Sequence, residues 1–173
     1  TLHTLATMMI SISDNTATDV LMYLLGREVI EQEMIASGHS EPRRNMPMLT
    51  TIEFFALKND PDRIAAFVAE NSAGRRALLA EWDPTLPADM VDVGKLIGSG
   101  PTAIDSIEWF ASNEDIARIL VRLRDLGDQT VMDILGINTV LSDTELQNWQ
   151  YAGYKGGSET GVLNLSWLLQ DQQ

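Results

Sequence analysis

Apolar residues recur every three to four positions through most of this chain, in short runs that each end at a capping or breaking residue. That rhythm constrains the fold more than any other feature, because it prescribes a stack of short amphipathic helices. Leu2, Leu5, Met8, Met9 and Ile12 make the first stripe, which stops at Ser13-Asp14-Asn15. A second helix is expected from Thr16 to Leu25, with Val20, Leu21 and Leu24 facing inward and Gly26 as its stop. Residues 27–37 form a third segment, closed by Gly38. The stretch "HSEPRRNMPML", residues 39–49, holds two prolines and no period, and reads as a loop.

Thr50 and Glu53 have the spacing of a capping box and open "TTIEFFALK" as a helix. Asn59 or Asp60 ahead of Pro61 opens the next, since proline is well tolerated at the first helical position. Ser72 precedes "AGRRALLAEW" in the same way. From Asp83 to Pro101 the chain holds three prolines and three glycines, which predicts a long connection. Helices are expected again at about 102–111, after Ser112 with Asp115 at the third helical position, and over 129–135.

After Asn148 the period changes from about 3.6 to two. "WQYAGYKGG" is aromatic and glycine-rich, and "GVLNLSWLLQ" alternates Val162, Asn164 and Ser166 with Leu163, Leu165 and Trp167, as a half-buried strand does. The two segments can pair through "GSETG". The fold class is therefore α+β: a mostly helical body with part of an antiparallel sheet.

A chain of 173 residues is expected to form one domain, residues 1–173, with enough length to bury a core unaided. It has no cysteine, which excludes disulfides, thiol nucleophiles and cysteine-ligated metals. Acidic residues outnumber basic ones 25 to 12, for a formal net charge of -13. A field of that sign argues against nucleic acid as a partner. No apolar run reaches membrane-spanning length, so membrane insertion is not expected either.

The chemistry-bearing residues fall in two places. Ser, Asp and Asn compete with helical hydrogen bonds, so Ser13-Asp14-Asn15 marks a turn and a helix cap. The same turn can present a hydroxyl and an amide to a cleft. Lys155 lies in "YKGGSETG", where glycines let a backbone approach a ligand closely. Ser13-Asp14-Asn15 and Lys155-Gly156-Gly157 together resemble two of the three signatures of the class A β-lactamase and penicillin-binding-protein superfamily. The first of these matches fully; the second lacks its middle hydroxyl. The remaining signature, Ser-x-x-Lys, is absent, because no Ser is followed three positions later by Lys. The expectation is therefore a fragment of a longer protein, truncated at the N-terminus and at the C-terminus, whose missing N-terminal segment carries the nucleophile.

The resemblance implies a β-lactamase/transpeptidase-like fold and a serine hydrolase that acts through an acyl-enzyme on a β-lactam, a peptidoglycan-like peptide or an ester. No cofactor is implied, and export to the periplasm or beyond follows by analogy only. Ser13 would relay a proton to the departing nitrogen, beside the cation of Lys155. Asn15 would hold a substrate amide, and Asp14 would fix the turn. The backbone N–H of Ser158, just past Gly156 and Gly157, would be an oxyanion donor. Glu41, Pro42 and Asn45 reproduce the Glu-Pro-x-x-Asn pattern of the class A omega loop. Glu41 reads either as the carboxylate that activates the deacylating water or as a solvated acid before proline; Asn45 would bind substrate. Glycine at 156 removes the hydroxyl that helps bind the substrate carboxylate, which puts β-lactam affinity in question; Ser158 or Thr160 is a possible substitute. A non-catalytic domain of the same fold, binding a ligand or partner without turning it over, is the alternative.

Other motifs do not complete. His3 and His39 belong to no His-Glu-x-x-His, so no metal site is expected. "GKLIGSGPT" lacks the Gly-Lys-Ser/Thr of a phosphate loop, and "GGSETG" misses Gly-x-Ser-x-Gly by one position. Met8-Met9 and Trp109-Phe110 read as core, and Glu114-Asp115 as helix N-terminal charges.

Overall fold

The structure, a computed structural model, describes residues 1–82 and 100–171 together with Gly94 and Gly98. Its α-helices are α1 (Leu2–Ser11), α2 (Asn15–Leu25), α3 (Arg27–Ala36), α4 (Thr51–Lys58), α5 (Pro61–Ala69), α6 (Ser72–Glu81), α7 (Asn113–Asp125), α8 (Gln129–Leu135) and α9 (Asp143–Leu146). A 3-10 turn covers Pro42–Asn45, and the strands β1 (Tyr151–Glu159) and β2 (Val162–Gln170) close the order. Among these described α-helices, all but α3 start with a side chain that accepts a hydrogen bond from the first turn. Each such cap is worth about 1 kcal/mol, which is why short helices persist here. α3 instead begins straight after Gly26, whose φ of 88° turns the chain sharply out of α2.

The expected capping boxes form at Thr50/Glu53 and at Ser112/Asp115. A further one, Ser142/Glu145, opens the single turn of α9, which the periodicity does not anticipate because four residues are too few to show it. The cap of α6 is Asn71, one residue before the expected Ser72.

The principal core joins Leu49, Phe54, Leu57, Phe67, Leu79 and Ile107, with Phe55, Ile64, Trp82 and Ala103 packed against it. Each such side chain contributes about 1.5–3 kcal/mol on burial. Phe54 stacks on Trp109 with ring centroids 4.2 Å apart. Trp109, expected as core, shows its outer face to solvent, while its Nε1 donates to the Leu49 carbonyl at 3.1 Å.

Two expectations fail for tertiary reasons. Residues 102–111 are turns and extended chain rather than helix. Ala103 stands at φ 53°, and the Phe110 N–H and carbonyl pair with the Asn45 side chain at 2.7 and 2.8 Å, so a distant partner takes the groups a helix would use. On α2, Ala17 and Met22 are buried while Val20 and Leu24 are exposed. The Asp19 carboxylate accepts from the N–H groups of Thr51 and Ile52 at 2.7 and 3.0 Å, capping α4 and turning that face of α2 inward.

The strands pair antiparallel through the Thr160-Gly161 turn, with Tyr154 opposite Trp167, Lys155 opposite Ser166 and Gly157 opposite Asn164. Gly156, Gly157 and Ser158 are thus in strand, with the turn beyond them. α8 joins this hairpin to the helical body: the Tyr151 hydroxyl donates to the Met132 carbonyl at 2.8 Å, and α1 also packs against α8. The Asn138 side chain adds a bond to the Ser11 carbonyl at 2.9 Å. The end of α1 and the middle of β1 are therefore held to one element. The connection expected from Asp83 to Pro101 lies mostly outside the described residues.

Candidate active site

The turn between α1 and α2 is built by its own polar groups. The Asp14 N–H donates to the Met8 carbonyl at 3.1 Å, and its carboxylate accepts from the Ala17 N–H at 2.7 Å. Ser13, between these anchors, is held at φ 55°, a conformation that a residue with a Cβ adopts at a cost of about 1 kcal/mol. Its hydroxyl is thereby exposed at the head of α2. Asn15, the first residue of that helix, has an exposed side chain, and its carbonyl accepts from the Thr51 hydroxyl at 3.2 Å.

Lys155 meets this turn from β1. Its Nζ donates to the Ser13 Oγ at 2.6 Å, across 142 residues of sequence, and also to the Gly156 carbonyl. Burial lowers the Lys155 pKa from its ordinary value, since the half-covered ammonium loses hydration. Because Ser13 accepts from the ammonium, its own O–H proton is left to donate elsewhere. Beyond Lys155 the strand is open: a Cβ on Gly157 would meet nothing within 4 Å, and Ser158 is exposed.

The omega-like segment is arranged differently. Glu41 is exposed, with its carboxylate 3.5 Å from Arg44, and its N–H donates to the His39 Nδ1 at 3.1 Å. Asn45 is buried, and its amide holds both the N–H and the carbonyl of Phe110. His39 is also buried, and its Nε2 reaches the same carbonyl at 2.7 Å, so the acceptor role of Nδ1 assigns the proton to Nε2. The substrate-binding expectation for Asn45 thus meets a side chain already engaged in tying the 3-10 turn to the segment before α7.

Sequence reasoning missed one charged cluster. Lys58 is enclosed and paired with Glu108 and Glu159, over the ring of Phe54. Burial first, then its hydrogen bond to Glu159, raises the Glu108 carboxyl to about 7. These three residues are far apart in sequence, and no local pattern announces them. Among the described residues no group of three or more His, Asp or Glu side chains could hold a metal ion, and no helix is long and apolar enough to cross a membrane.

A helical α+β body that sets a Ser-Asp-Asn turn against a Lys-Gly-Gly strand is of the β-lactamase-like class. A sequence model of the Beta-lactamase enzyme family matches residues 1–100, more than half of the chain, and the chain belongs to that family. No curated protein matches it. The matched stretch contains Ser13-Asp14-Asn15 and ends before Lys155, so the contact between the two is an observation separate from the family match.

Proposed function

We propose that this chain supplies the proton-relay and substrate-binding half of a serine acyl-hydrolase site acting on a β-lactam or a related amide. The 2.6 Å bond from Lys155 to Ser13 is the observation that carries this reading. In it, a nucleophilic serine from outside these residues attacks the acyl carbon and the C–N bond breaks. Ser13 gives its proton to the departing nitrogen and regains one from the Lys155 side. Asn15 holds the substrate amide, Asp14 fixes the turn, and the N–H of Ser158 beside Gly156 and Gly157 receives the oxyanion. Glu41 is the candidate water-activating carboxylate, and Asn45 positions its loop. The 173 residues form a single domain that is inert by itself, because the nucleophile's removal costs on the order of a millionfold in a comparable serine hydrolase.

The test is covalent labelling of the full-length gene product with a fluorescent penicillin. Label is expected on the full-length protein and none on the 173-residue chain. Ser13→Ala should slow labelling about a hundredfold or more, the usual scale of a lost proton relay. Glu41→Gln should slow release of the label. A folded full-length protein that takes no label favours the second reading, a binding domain of the same fold, for which the missing hydroxyl at Gly156 and the absent Ser-x-x-Lys speak.

A further inference from the structure

One face of β1 is tied to the helical body at two points. Side chains alternate along a strand, so Lys155, Gly157 and Glu159 share a face. Lys155 bonds the Ser13 Oγ at 2.6 Å, and Glu159 pairs with the Lys58 Nζ at 2.5 Å. Gly157 lies between these ties with open space before it among the described residues, and Ser158 follows it, exposed.

The two ties belong to one closed circuit. α2, which starts directly after Ser13 and Asp14, is fixed to the first turn of α4: the Thr51 hydroxyl donates to the Asn15 carbonyl at 3.2 Å, and the Thr51 N–H to the Asp19 carboxylate at 2.7 Å. Lys58 is the last residue of that same helix. From Thr51 to Lys58 α4 spans roughly 10 Å, and β1 from Lys155 to Glu159 spans roughly 13 Å. A helix thus connects the two ties, and the open stretch at Gly157 is bounded by a hydrogen bond at one end and an ion pair at the other.

The Lys58 side chain is 1 % exposed, lies 4.4 Å from the centroid of the Phe54 ring, and meets Glu108 as well as Glu159. An enclosed ammonium is strongly disfavoured unless it is paired, so it holds its carboxylates firmly. Glu108 sits on a segment fixed just beyond it, where Trp109 donates to the Leu49 carbonyl and Phe110 to Asn45. The charged groups that surround Glu108 among the described residues are Lys58 from α4, Glu159 from β1, and Arg44 and Arg75, which line the small cavity beside it. Below about pH 7 Glu108 keeps a proton and bonds Glu159, which leaves the charge of Lys58 to Glu159. Above that pH Glu108 competes for the ammonium and repels Glu159.

We infer that Lys58 is a positioning residue: by holding Glu159 it fixes the far end of β1 to α4 and keeps Gly157 and Ser158 at a set distance from the Ser13 turn. The inference rests on the reading proposed above, in which the Ser158 N–H receives the oxyanion, and adds to it a residue that acts without touching substrate. Glu108, a rival for the same ammonium, makes the hold tighter at pH 6 than at pH 8.

The test is amide hydrogen exchange along β1 of the chain, corrected for the intrinsic rise of exchange with pH. Lys58→Met alone would leave two enclosed carboxylates without a cation, so the variant compared is Lys58→Met/Glu108→Gln/Glu159→Gln, which removes the cluster whole. Protected amides at residues 157–159 should exchange at least tenfold faster in it, and those at 152–154 at the wild-type rate. In the wild type the protection at 157–159 should drop between pH 6 and 8, and Glu108→Gln should abolish that drop. Uniform loss along the strand, or no loss at all, overturns the inference. In parallel, the full-length gene product carrying the three substitutions should take fluorescent penicillin at least tenfold more slowly than the wild type. Equal labelling rates overturn the role of Lys58 and leave the broader reading standing. A folded wild type that takes no label overturns the broader reading, and the exchange rates then decide the hold on β1 separately.

Discussion

Ser13 combines a side-chain contact and a backbone conformation that point to the same conclusion. A residue held at φ 55° gives up stability that glycine would retain, and the hydroxyl it presents bonds an ammonium from β1. Ser13→Gly should therefore raise the unfolding free energy by about 1 kcal/mol relative to Ser13→Ala, as urea denaturation would measure. An alanine variant at least as stable as the glycine one would show that the turn is unstrained. The neighbours Asp14 and Asn15 were readable from the sequence because capping is a short-range act: the Asp14 carboxylate needs only the N–H three residues on. Lys155 was readable as a lysine among glycines, and nothing local named its partner. Lys58 was not singled out at all, since its partners lie 50 and 101 residues away.

Among the elements, the helices whose ends are set by local caps were legible, and those governed by distant partners were not. α8 matches its expected span, while residues 102–111 do not form a helix because Asn45 takes the Phe110 backbone groups. The inward face of α2 was misassigned for a similar reason, the pull of Asp19 toward the start of α4. At α7 local and distant bonds coincide. Asp115 closes the capping box with Ser112 and also accepts from the N–H and hydroxyl of Ser40 at 2.7 and 2.8 Å. Those donors, Ser112 foremost, hold its carboxyl well below the usual carboxylate range. Its stabilising contribution is thus complete above about pH 4 and fades as pH falls through that depressed value. Asp115→Asn should lower the urea midpoint at pH 7 more than Glu145→Gln, which disturbs only the exposed box of α9. Equal effects would deny Asp115 its second task of anchoring the loop at Ser40.

Across the whole molecule, the enclosed Lys58–Glu108–Glu159 cluster ties α4, the segment before α7 and the far end of β1 together. Glu108 has its carboxyl raised from 4.5 to about 7, so the folded state holds that proton more tightly than the unfolded chain does. The stability this adds is full below about pH 4.5 and is lost as pH rises through about 7. Urea midpoints between pH 5 and 8 should fall with rising pH, and Glu108→Gln should flatten that slope. An unchanged slope would remove Glu108 as its source. The Asp115 contribution is already complete throughout this window, so the two effects separate.

The residues alone determined the short capped helices, the change of period after Asn148, the α+β class and the two motifs that carry the family resemblance. All of these are matters of neighbours within a few positions, where side chain and backbone meet whatever the rest of the chain does. Only the tertiary structure decided that Lys155 bonds Ser13, that Asn45 holds Phe110 and that Lys58 gathers two carboxylates. These contacts join groups separated by 50 to 142 residues, and closing loops of that length depends on how α8 and the core pack.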